Sequence, residues 1–198
     1  MALKYCLTTP MNIKSIQKAA RLHESPCHKN ITTFYGIREL PDQLIYVEEM
    51  CDASTLMKLM KYKQPISSQN FAILFRQLVN AIKYLHTVKT IVHGCIDIFS
   101  VLINADLSLL QLTDFRNARK VNLLDPRHML LHDQPGDPMF KSFEVILKKF
   151  APIPASDINS CCMVVRTLAS NKFPFQVQSL LMARKDVSNY YKFKCNPV

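Results

Sequence analysis

The chain has 198 residues, 48% of them hydrophobic and 20% charged, with 25 Lys and Arg against 15 Asp and Glu for a formal net charge of +10. That length and apolar content support one packed domain and argue against disorder over most of the chain. No run approaches the ~18 apolar residues of a membrane span, the start Met1-Ala2-Leu3-Lys4-Tyr5-Cys6 has no apolar signal core, and 3 Gly against 11 Pro leave few residues for a phosphate-cradling loop.

The 7 Cys are read as reduced thiols, which places the chain in the nucleus or cytoplasm. Cys161 and Cys162 are adjacent and lack the C-x-x-C spacing, so no zinc site is expected. The basic charge suits an acidic protein partner. Nucleic acid would rest on charge alone, because neither an aromatic RNP-type motif nor zinc-finger spacing is present.

In chain order, residues 12–25 are predicted helical, with Ile13, Ile16, Ala20 and His23 on one side. Residues 31–37 and 43–50 are predicted strands, separated by the turn-like Leu40-Pro41-Asp42. A long helix is predicted over 69–86, capped by Ser67 or Ser68. Its apolar stripe of Phe71, Leu74, Phe75, Leu78, Ile82 and Leu85 is assigned to the core. Residues 101–104 and 109–112 read as a hairpin turning at Ala105-Asp106. An irregular stretch with three prolines fills 116–140, a helix is predicted over 157–170, and the tail from residue 176 is less regular. A strand-rich first part and a helical second part indicate an α+β fold.

The chemistry-bearing segments follow the long helix. His93-Gly94-Cys95-Ile96-Asp97-Ile98-Phe99-Ser100 resembles the protein-kinase catalytic loop H-R-D-L-x-x-x-N, and Thr113-Asp114-Phe115-Arg116 resembles the D-F-G motif. Phe143-Glu144 matches the end of A-P-E, Asp157 follows thirteen residues later, and Ala2-Leu3-Lys4 matches the tail of V-A-I-K. The order and spacing resemble the protein kinase superfamily over nearly the whole chain. Narrower similarity to the DNA-damage checkpoint effector kinase, the first of the two, comes from other stretches. These are Asn12-Ile13-Lys14, His28-Lys29-Asn30-Ile31, Phe34-Tyr35-Gly36, Pro135-Gly136 and the tail Asp186-Val187-Ser188-Asn189-Tyr190-Tyr191.

The resemblance implies a kinase-like fold with an incomplete N-lobe sheet and a mainly helical C-lobe, shortened at the C-terminus. It implies one domain over 1–198, divided at about 51/52. The glycine-rich loop expected ahead of Lys4 would lie before Met1. Lys4 would contact ATP phosphates, but Ala19 replaces its helix Glu partner. Cys95 stands at the catalytic-base position, and Ser100 at the position of the asparagine that binds the second magnesium. Asp114 is the remaining magnesium ligand, followed by Arg116, which can pair with it and displace the metal. Glu48 aligns with the gatekeeper. The structural set is His93 and Phe115 packing with Phe34, Asp157 holding the catalytic-loop backbone, and Glu144 pairing with Arg184.

With base, asparagine and glycine loop missing, the expectation is a pseudokinase. That is a protein-binding module related to checkpoint serine/threonine kinases, not an enzyme, holding no cofactor and binding an acidic protein. The alternatives are a weakly active serine/threonine kinase using ATP and magnesium, or a basic nucleic-acid-binding domain.

Overall fold

The computed structural model describes residues 2–7, of which only the backbone, 13–24, 27–41, 43–61, 66–121, 137–142, 145–146 and 153–172. Strand β1 (Ala2–Leu7) leads into helix α1 (Ile13–His23), followed by β2 (Phe34–Glu39) and β3 (Gln43–Glu48). The three strands form one antiparallel sheet in the order β1-β3-β2, with Lys4 opposite Tyr46. Alternation along β3 buries Leu44, Tyr46 and Glu48 on one face, as a period of two requires. Ala20 of α1 packs on that face, flanked by Ile13, Ile16, Phe34 and Ile37. Between Phe34 and Gly36 the pairing slips by one residue. Gly36 takes φ +145°, a conformation that side chains disfavour, and Tyr35 is left exposed at the bulge.

Strand β2 starts three residues later than its sequence suggests. Ile31 pairs instead with Leu112, and the Thr32 amide donates to the Leu112 carbonyl at 3.0 Å. This segment is thereby tied to the second half of the molecule. Buried Asn30 reinforces the tie by donating to Gln77 and to the Leu110 carbonyl, both at 2.7 Å.

The second half begins with β4 (Ala53–Thr55) and α2 (Leu56–Lys61) and is built around α3 (Ser68–Tyr84). Ser67 caps α3 by accepting from the Asn70 amide at 3.1 Å. The helix continues as a π turn over Leu85–Lys89 and ends at Thr90, whose φ is +54°. Strand β5 (Ile91–Val92) precedes the loop 93–100, and the hairpin β6 (Val101–Asn104) and β7 (Leu110–Leu112) follows it. Strand β8 (Arg119–Lys120) pairs with β5. The strands β4, β5 and β8 are only two or three residues long and have no sequence period to betray them. Helix α4 (Pro154–Ser170) starts three residues earlier than expected, because Pro154 suits a first helical position.

One apolar core joins Leu74, Leu78, Ile82 and Leu85 of α3 with Val101, Ile103, Leu110, Leu112, Phe115, Phe140 and Val164. The stripe on α3 needs one correction. Phe75 is 42% exposed and stacks beside half-buried Phe71. The core side of the helix is centred on Leu74, Leu78 and Ala81, and Phe75 falls off its edge. The helix expected over 12–25 is present as Ile13–His23, and the hairpin and an α+β architecture with a small first sheet are present too.

Replacing buried Leu78 by Ala should lower the unfolding free energy by about 2–5 kcal/mol. Phe75→Ala should change it by less than about 1 kcal/mol. Urea denaturation of both variants distinguishes the two positions.

Candidate functional site

The loop 93–100 runs between β5 and β6 and is held from beneath by one carboxylate. Asp157, in the first turn of α4, accepts from the His93 amide at 2.8 Å and the Gly94 amide at 2.9 Å. Its Oδ2 also accepts from Nε2 of His86 at 2.9 Å. Asp157 is almost fully buried, so these donors stand in for the water it has lost.

His93 is buried as well. Its Nε2 faces the Thr113 carbonyl oxygen at 3.0 Å. A carbonyl only accepts, so Nε2 carries the proton. The ring meets Phe115 edge-on, with centroids 4.7 Å apart. Phe115 in turn stacks flat on His23 of α1, at 4.1 Å and 13°. His23 stacks on Phe34 at 5.2 Å. Phe34, His23, Phe115 and His93 thus form an unbroken column of rings from the sheet to the loop. His23 donates from Nε2 to the Thr32 carbonyl at 2.8 Å, which leaves Nδ1 to accept from the Tyr46 hydroxyl at 2.7 Å.

Glu48 ends β3 on the same side as this column. It is buried, and its Oε2 accepts from Thr113 Oγ1 at 2.6 Å and Thr32 Oγ1 at 2.9 Å. The two hydroxyls offset part of the desolvation cost of a carboxylate at this position. Ala19 is buried in α1, where the resemblance implies a glutamate. Gln17, which could have served Lys4 instead, bonds to Glu39. Lys4 pairs with Tyr46 through the backbone register of β1 and β3, and its side chain lies outside the described residues. Glu144 and Arg184 lie outside them too.

Cys95 sits at the turn of the loop. Burial pushes its thiol up to about 12, with the carboxylates of Asp97 and Asp114 acting in the same direction. Such a thiol stays protonated at neutral pH and is a poor nucleophile. Its Sγ lies 3.9 Å from Oδ2 of Asp97. Asp97 is the carboxylate that motif matching passes over, because it stands two residues beyond the base position. Its Oδ1 accepts from the amides of Phe99 at 2.8 Å and Ser100 at 2.9 Å. Burial raises its carboxyl above the usual range, against the pull of those amides. Lys141 completes the group. Burial depresses its ammonium, while Cys95, Asp137 and Asp97 favour the charge.

Magnesium, which the family implies, would need Asp114 and Ser100. Asp114, at φ +69°, has both oxygens gripped by Arg116, Nε to Oδ1 at 2.5 Å and Nη2 to Oδ2 at 2.7 Å. The Ser100 hydroxyl accepts from the Asp97 amide at 2.8 Å and donates to the Asp97 carbonyl at 3.1 Å. Among the described residues no group of three or more His, Cys, Asp and Glu side chains could hold a metal ion. The residues present therefore do not fit magnesium in this arrangement. None of the five described cysteines, Cys27, Cys51, Cys95, Cys161 and Cys162, is in a disulfide.

Asp157→Ala leaves two loop amides without their acceptor and should lower stability by at least about 2 kcal/mol, with Asp157→Asn in between. Thermal and urea unfolding of both variants checks this. Timed alkylation read by peptide mass spectrometry should label exposed Cys27 and Cys162 well before Cys95 and Cys161, the latter also pushed up to about 12 by burial.

The Protein kinase domain model matches residues 2–195. Serine/threonine-protein kinase PLK2 of Mus musculus is 26% identical over 171 residues, covering 86% of this chain and 24% of that protein. Serine/threonine-protein kinase polo of Drosophila melanogaster is 27% identical over 159 residues, covering 80% and 27%. The carbon catabolite-derepressing protein kinase of Saccharomyces cerevisiae is 25% identical over 162 residues, covering 82% and 24%. The chain thus spans about a quarter of the length of these relatives. They are serine/threonine kinases of several kinds, so the kinship is to that broad group and not to the checkpoint effector in particular. Kinase relatives across most of the chain also overturn the expectation that it is not an enzyme. That expectation rested on the missing base, asparagine and glycine-rich loop, and took no account of the Asp97 carboxylate 3.9 Å from the Cys95 thiol. From end to end of the matched segment, this chain belongs to the protein kinase domain family.

Proposed function

We propose that this chain is a serine/threonine protein kinase domain of slow, altered chemistry, taking ATP as one substrate and an acidic protein as the other. The observation that supports it is the placement of Asp97, whose Oδ2 is 3.9 Å from the Cys95 thiol at the family's base position. In this reading Asp97 meets the substrate hydroxyl. The hydroxyl oxygen bonds to the γ-phosphorus, the bond from that phosphorus to the ADP oxygen breaks, and the hydroxyl proton passes to the Asp97 carboxylate. Lys141, held near Asp97 and Cys95, supplies positive charge beside the reacting groups. The formal net charge of +10 favours acidic protein substrates through faster encounter more than through tighter binding.

Phosphoryl transfer depends mostly on positioning and charge. The ring column and the Asp157 clamp supply the positioning of the loop. Asp97 reaches from a different point in the loop, which is consistent with a slow rate. Transfer from radiolabelled ATP to an acidic protein mixture should be measurable, and Asp97→Asn should reduce it at least about tenfold, since a positioned base contributes on the order of two to four decades. Introducing Cys95→Asp into that variant should restore part of the loss. No transfer by the unaltered chain, or an undiminished rate for Asp97→Asn, refutes the reading.

A further inference from the structure

The grip of Arg116 on Asp114 has a consequence for how phosphate is held, and the inference rests on the kinase reading above. Arg116 lies in the helical turn Phe115–Asn117, two residues from its partner. Phe115 between them is fully buried in the ring column. The backbone that carries both charged groups is therefore pinned, and little conformational freedom is lost in keeping the two planar groups face to face. Two parallel N–H···O bonds make this the geometry for which guanidinium and carboxylate are matched. The guanidinium keeps its charge at any pH a protein survives. The pair remains reachable from solvent, with side-chain exposures of 38% for Arg116 and 19% for Asp114.

A divalent ion at this point would need an open set of oxygen ligands. The Asp114 carboxylate already faces a cation, and the Ser100 hydroxyl is turned into its own loop. Yet an anionic nucleotide approaching Asp97, Asp114 and Asp137 needs positive charge from some source. Arg116 and Lys141 are the cations that the described residues place there.

We propose that Arg116 is the built-in cation of this site, so that the chain binds the phosphates of ATP without magnesium. Arg116 takes the place on Asp114 that a divalent ion would take, and presents its positive charge to the nucleotide. Lys141 adds a second positive charge near Cys95 and Asp97.

The test is calorimetric titration of the full chain with ATP, in excess EDTA and in millimolar magnesium. The two affinities should differ by less than about threefold, whereas in Arg116→Ala magnesium should strengthen binding by at least about tenfold because Asp114 is released to the ion. Asp114→Asn, which keeps Arg116 and removes the candidate metal ligand, should bind ATP in EDTA at least as tightly as the unaltered chain. Binding by the unaltered chain that requires magnesium, or loss of metal-free binding in Asp114→Asn, overturns this inference and leaves the kinase reading intact. Failure to bind ATP under both conditions overturns the kinase reading itself.

Discussion

The flat stack of His23 on Phe115 is the contact on which the ring column depends, and together with the Ile31–Leu112 bridge and the Asn30 and Glu48 hydrogen bonds it joins the two apolar cores. On one side lie Leu44, Tyr46 and Ala20, and on the other the core around α3. Ala19 stands where the resemblance implies a glutamate, so an ion pair from that position cannot tie this helix to the sheet. His23 does so instead, through two hydrogen bonds to Thr32 and Tyr46 and through ring contacts above and below. Each ring contact contributes about 0.5–1.5 kcal/mol beyond burial. The tether in this chain is an aromatic one with defined geometry. A leucine at position 23 would fill similar space but leave the Tyr46 hydroxyl without this partner.

Below the column, two carboxylates shape the loop in different ways. Asp157 reaches in from α4 and fixes the loop's first amides. Asp97 works from inside, folding the loop back on itself through Phe99 and Ser100, while Ser100 returns a hydrogen bond. This reciprocal pairing explains why the Ser100 side chain points into the loop and not toward a metal. It also holds the Asp97 carboxylate 3.9 Å from the Cys95 thiol.

The sequence reading is strongest where a period is long. Six apolar residues at helical spacing locate α3, and two short apolar runs around Ala105-Asp106 locate the β6–β7 hairpin. Phe75 shows the limit of the method: spacing ranks residues by angle, and the edge of a stripe can face water. The short strands β4, β5 and β8 escape because two or three residues hold no period. Motif matching finds Cys95, Asp114 and Asp157 because order along the chain is what motifs record. It does not find Asp97 or Lys141. Lys141 comes near Cys95 only across the fold, and Asp97 stands at a spacing from it that no motif records. One signal was available, an acid two residues beyond a lost acid, and it gains meaning only once the loop is seen to fold back.

The acids of this site divide by the kind of donor that serves them. Glu48 and Asp97 are buried and take hydroxyls or backbone amides, and Asp157 takes two amides and an imidazole. Neutral donors stabilise a carboxylate without cancelling its charge, so the loop stays electronegative near its turn. That field, added to burial, is what holds the Cys95 thiol in its protonated form. Asp114 differs, being more exposed and matched to a full positive charge. The Arg116–Asp114 pair is bidentate and partly buried, and so supports the local turn. Arg116 also acts on local charge: its guanidinium offsets the Asp114 carboxylate and so lowers the negative charge that an anionic substrate would meet there.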